Sequence, residues 1–157
     1  MTIRVRAVVD PERNRVEAAT EKSRPIVMDG DTPDGEGVAT GPRATLLAAL
    51  AGCTGMDVAS ILLKKRQQPP DSYEILVHGE SATEHPKVFT AIQVEHVVRG
   101  SIEPQALHRS IELSATRYCP VSAMLSASVR IEHRYRLVRE GEPELSALVA
   151  VTGPRAG

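Results

Sequence analysis

GPRATLLAALAGCTGMDVASILLKKRQQPP, residues 41–70, decides the fold. Thr40 or Gly41 can cap a helix here, and Pro42 suits its first position, where a missing N–H costs nothing. Leu46, Leu47, Leu50, Met56, Val58, Ile61, Leu62 and Leu63 then cover most of a helical circumference. A helix that is apolar nearly all round is expected to be central and buried. Lys64, Lys65 and Arg66 complement the negative end of its dipole, and Pro69 with Pro70 stops it, so a long helix is expected over 42–68. Gly52 and Gly55 flank Cys53, which points to a kink or a close backbone approach.

Strands surround this helix. Residues 2–9 alternate Ile3, Val5, Ala7 and Val9 against the other face, the pattern of a half-buried strand. Asp10-Pro11 and Asn14 mark a turn, residues 15–19 return, and 23–28 read as a third short strand. The Gly- and Asp-rich stretch DGDTPDGEGVATG, 29–41, is a loop. Downstream, 72–80 and 87–99 are strands joined at Glu84-His85-Pro86. Residues 104–118 form an amphipathic helix that Cys119-Pro120 breaks, because a residue before proline disfavours the helical region. A short helix over 121–127 precedes the cleanest strand, 129–137, where Val129, Ile131, His133, Tyr135 and Leu137 alternate with charged residues. Residues 139–157 show no clear period and are expected to form a tail beyond a single domain over 1–138. The pattern predicts an α+β fold with largely antiparallel sheet.

Composition removes other options. Of 157 residues, aromatics are 3%, namely Tyr73, Phe89, Tyr118 and Tyr135, too few for a base-stacking platform. A net charge of -1 offers no basic surface for nucleic acid or an anionic membrane. The longest unbroken apolar run, 46–51, is too short to span a bilayer, and the N-terminus lacks a signal-peptide pattern. Two cysteines exclude a four-cysteine zinc site and argue against a secreted disulfide scaffold, so a soluble cytoplasmic protein is expected. The five histidines, His78, His85, His96, His108 and His133, lack metal-ligand spacing. Most fit exposed strand or turn positions, whereas His133 falls on an inward face. The 29–41 loop departs from the calcium-loop order, and GEGVATG is not a dinucleotide fingerprint.

Cys53 lies on the most apolar helix and Cys119 at a helix break. Free cysteines are commonly small buried hydrophobes, and a redox pair is the sharper reading. Composition and spacing leave both open. The words around them carry more. GPRATLLAALAGCTGMDVASILLKKRQ (41–67), HPKVFTAIQVEHVVRG (85–100) and IELSATRYCPVSAML (111–125) resemble the OsmC/Ohr family, the osmotically inducible and organic hydroperoxide resistance proteins, and within it the YhfA-type branch. The resemblance runs from about Arg4 to Val138.

It implies an intertwined homodimer with a long central helix and active sites at the dimer interface. It implies that Cys53 attacks a hydroperoxide, that Cys119 resolves the sulfenic acid to a disulfide, and that a cellular dithiol reduces the disulfide, with no metal, haem or flavin. The nucleophile must be a thiolate, so its pKa must fall below ~8.5, which a helix N-terminus or an arginine can achieve. Family members that act as peroxidases pair the thiolate with an arginine from the N-terminal region, matched best here by Arg24, and orient it with a glutamate nine or ten residues before the first cysteine. Ala44 and Arg43 stand at those positions, with Arg43 a possible substitute for the activating arginine. Asp57, one turn after Cys53, would raise a thiol pKa if it shares that face. The missing glutamate favours an alternative, a non-catalytic stress protein or one that binds an apolar ligand.

Overall fold

A computed structural model describes residues 2–30, 37–65 and 68–154. They divide into two compact units, Met1–Leu46 and Leu47–Gly157. Each unit has its own sheet.

The N-terminal unit is a three-stranded antiparallel meander of β1 (Arg6–Asp10), β2 (Arg15–Ala19) and β3 (Ile26–Asp29). Asp10 builds the first turn: its Oδ1 accepts the N–H groups of Glu12 and Arg13 at 3.1 and 3.2 Å, and Asn14 takes the left-handed conformation at φ 48°. Buried Asp29 ends β3, its carboxylate accepting the N–H groups of Gly30 and Val38. Residues 31–36 of the expected loop lie outside the described residues. The first strand starts four residues later than expected, and its side chains are exposed rather than half-buried, Val9 to 63%.

The C-terminal unit holds most of α1 (Pro42–Lys64), then β4 (Ser72–Ser81), β5 (Phe89–Arg99), α2 (Pro104–Leu113), a π-helical turn (Ser114–Tyr118), α3 (Pro120–Leu125), β6 (Arg130–Val138) and β7 (Leu145–Thr152). Its sheet has the order β4-β5-β6-β7. Val58 and Leu62 pack on Val98, Ile111, Tyr135 and Leu137, and Leu50 packs on Ile92, Val94, Cys119 and Ile131. The inward residues of β5 and β6 are those the alternation selects, with side chains pointing to one face at every second position.

The pairing is largely antiparallel, as expected, with one parallel pair, β5 with β6, which sets Val94 beside His133 and His96 beside Tyr135. The helices between these two strands make the crossover that a parallel pair requires. Two expectations are corrected. Residues 145–152 are not a tail: β7 pairs antiparallel with β6, and Ala147 and Val149 pack against the core. And α1 buries only one stripe in this chain, Leu50, Thr54, Val58 and Leu62, while Met56 and Leu63 are 76% and 58% exposed. By length and composition α1 would suffice to cross a membrane, with mean hydropathy 1.9 over an 18-residue window. Its buried stripe packs instead on the sheet, as a core helix does.

Between the two glycines beside Cys53, only Gly55 meets a neighbour. A Cβ there would lie 2.7 Å from Ile75 Cδ1, so α1 approaches β4 closely without a break in the helix.

Candidate functional site

Cys53 sits midway along α1, half-buried against the core cluster that holds Leu50, Ile92, Val94 and Ile131. Asp57 follows four residues on, which places it on the same helical face one turn away. Cys119 arrives from the other side by a local distortion. The Cys119 N–H donates to Ser114 O at 3.0 Å, a five-residue span that defines the π turn. Pro120 holds Cys119 extended, at φ -74° and ψ 105°, and starts α3. Cys119 is therefore the N-cap of α3, and its Sγ accepts the Ser122 N–H at 3.3 Å.

These elements bring Cys53 Sγ, a carboxylate oxygen of Asp57 and Cys119 Sγ within 4.8 Å of one another. Both cysteines are free thiols. Burial pushes the Cys119 thiol up to about 12, aided by the hydrogen bond with Cys53 and by the charges of Cys53 and Asp57, while the Ser122 N–H opposes the rise. A disulfide needs the sulfurs to close to about 2.05 Å.

A second row of polar groups supports the first. Ser114 Oγ donates to Asp57 Oδ2 at 3.0 Å. Its one proton is then used, so Thr54 Oγ1 donates to Ser114 Oγ, also at 3.0 Å. On the other side, Ser122 Oγ lies 3.3 Å from His133 Nε2. His133 and His96 are both fully buried, and burial pulls them down to about 4 and about 3, with repulsion from His133 adding to the fall at His96. Tyr73 Oη bonds His96 Nδ1 at 2.6 Å, and its own burial pushes it upward. Among the described residues, His96 Nε2 and His133 Nδ1 have no hydrogen-bond partner.

The expected inward position of His133 is found, and His96, which falls on the same alternation as Ile92, Val94 and Val98, is buried beside Tyr73. Arg24 is exposed, two residues before β3 in the N-terminal unit. Arg43 and Ala44 occupy the first turn of α1 in that same unit. Ser114, Ser122 and Thr54 were not among the residues the sequence singled out. The LSATRYCPVS string contains the two serines, but only the π turn aims them. Asp57 also lines an open cleft of about 360 Å³ with Ile61, Lys64, Lys65 and Tyr118. A larger cleft of about 520 Å³ lies wholly within the N-terminal unit, between Arg4, Arg6, Glu17 and Glu21, and holds neither cysteine.

Comparison with known proteins agrees with the sequence words. Residues 34–134 match the family model for OsmC-like protein. Protein YhfA of Escherichia coli K12 is 39% identical over 114 residues, covering 72% of this chain and 82% of YhfA. A hypothetical protein from Aquifex aeolicus VF5 superposes with a TM-score of 0.78 at 28% identity, over 89% of this chain and 98% of that one. The OsmC-like protein from Mycoplasma pneumoniae shares the fold with a TM-score of 0.76 at 19% identity, over 88% and 98% of the two chains. The α+β fold, the cysteine-bearing helix and the matched residues lead to one conclusion: this chain belongs to the OsmC-like protein family.

Proposed function

We propose that this protein is a thiol-dependent peroxidase that reduces organic hydroperoxides in stress defence, in a cytoplasm that keeps its thiols reduced. The observation that carries the reading is the meeting of Cys53 and Cys119 across α1 and the π turn. In the first step the Cys53 thiolate attacks the terminal oxygen of ROOH. The O–O bond breaks, a proton is taken up, and ROH leaves behind a sulfenic acid. The Cys119 thiol then attacks that sulfur and releases water, leaving the disulfide, and a cellular dithiol returns both thiols by exchange. A resolving thiol this near limits over-oxidation.

Arg24, the best match to the family's N-terminal arginine, is the proposed activator of the thiolate, and it would have to offset the negative charge of Asp57 without the family glutamate that orients it. A homodimer fits the apolar side chains that a single chain leaves uncovered, Met56 and Leu63 on α1 and Val5, Val9 and Ile26 on the N-terminal unit. Asp57 beside the thiols also favours a second reading, a non-catalytic relative whose thiols do not turn over.

Free thiols titrated before and after one equivalent of cumene hydroperoxide separate the two. The peroxidase loses two thiols per chain rapidly. Cys53→Ser shows no fast reaction, Cys119→Ser accumulates a trappable sulfenic acid, and Arg24→Gln slows the first step by about tenfold or more. Wild-type protein that keeps both thiols while peroxide persists is the non-catalytic relative. Sedimentation at micromolar concentration gives a dimer, and a clean monomer refutes the shared interface.

A further inference from the structure

We propose that the reduced site is also a binding site for a thiophilic divalent cation of the zinc class, ligated by Cys53, Asp57 and Cys119. Their three donor atoms lie within 4.8 Å of one another. With Zn–S near ~2.3 Å, tetrahedral coordination sets the sulfur–sulfur edge at about 3.8 Å, so about 1 Å of side-chain movement closes the site. Two thiolates select zinc over magnesium or calcium, which prefer all-oxygen shells. Cys53 and Asp57 are fixed relative to each other by one turn of α1, and Cys119 is fixed by the π turn and Pro120.

The groups around the donors are those that orient metal ligands elsewhere. Ser114 holds the Asp57 carboxylate through Oδ2, and the Ser122 N–H holds Cys119 Sγ. Three protein ligands leave a fourth position for water, as in open zinc sites. The cleft that Asp57 lines opens on that ligand's side of the site. Lys64 and Lys65 line the same cleft and weaken long-range attraction for a cation, so affinity rests on direct ligation.

Binding is a proton exchange. Two thiols, one carboxylate and one dication give a bis-thiolate carboxylate complex and release two protons. The disulfide form lacks both thiolate donors and cannot hold the ion. The binding itself goes beyond the peroxidase reading and needs only reduced thiols. The further consequence, that a bound cation shields Cys53 from peroxide, rests on that reading.

Cobalt(II) and then zinc titrated into the reduced full-length protein test the site. One cobalt per chain is expected, with a thiolate-to-cobalt charge-transfer band that zinc abolishes and with two protons released in weak buffer. Cys53→Ser and Cys119→Ser each lose the two-thiolate band. Asp57→Asn, which keeps an oxygen for Ser114, weakens binding by at least about tenfold, and thermal melting without metal checks that it folds. Protein oxidised to the disulfide binds none. Absence of the band, unchanged affinity in Asp57→Asn, or half a cobalt per chain overturns the proposal. Cobalt binding in protein that ignores peroxide leaves the metal site standing and removes the peroxidase. Peroxide turnover without cobalt binding does the reverse.

Discussion

Ser114 links the two halves of the site through one hydroxyl. It donates to Asp57 Oδ2 and receives the Thr54 proton, and it is fully buried. Ser114→Ala leaves a carboxylate oxygen and a hydroxyl without partners, and a buried unpaired group costs about 1–3 kcal/mol. Urea unfolding of the variant is expected to show that loss, and an unchanged midpoint would mean water replaces the serine. Cys53, Cys119 and Asp57 were legible in the sequence, the cysteines by their surrounding words and Asp57 by its four-residue spacing. The serines were not. Their roles depend on the extra residue of the π turn, which no propensity encodes.

At the scale of elements, periodicity found every helix and strand but the last. α1 ends at Lys64, within the span that its caps and prolines mark, and β6 follows its strict alternation. β7 escaped because LSALVAVT mixes small and apolar residues on both faces, and a register shift at His133/Arg134 breaks its pairing pattern. An edge strand has one neighbour, so its polar face is poorly defined. The parallel pairing of β5 with β6 was not assigned from the pattern, although the helices it needs as a crossover were in place between the two strands. Ending the chain at residue 144 removes Ala147 and Val149 from the core and bares the β6 edge. Burial of such side chains is worth about 1.5–3 kcal/mol each for the larger ones, so a loss of at least about 2 kcal/mol is expected in chemical unfolding. A truncated chain as stable as the full one would make β7 dispensable.

At the scale of the molecule, two neutral histidines in one sheet set the acid limit of stability. Burial holds His133 at about 4 and His96 at about 3 in the native state, against 6.5 when exposed. Above about pH 6.5 both are neutral, folded or unfolded, and the native state is not penalised. As pH falls below 6.5 the unfolded chain binds protons that the native chain refuses, so stability is lost with falling pH. The slope is about 3 kcal/mol per pH unit for the two together between about pH 6 and pH 4. Urea midpoints across that range check it, and His133→Asn is expected to halve the slope. A flat profile would mean the histidines reach solvent. The same sheet carries the wall against which Leu50 and Cys119 pack, so acid loss of the sheet also opens the thiol site.

The account stands on two distant cysteines meeting as a redox pair within one chain. The direct measurement is peptide mapping without reduction, after reduced protein meets one equivalent of cumene hydroperoxide and its remaining thiols are alkylated. A single cross-linked peptide pair joining Cys53 to Cys119 of the same chain is expected. Recovery of both cysteines alkylated with the peroxide unspent, or of a disulfide only between different chains, would contradict it.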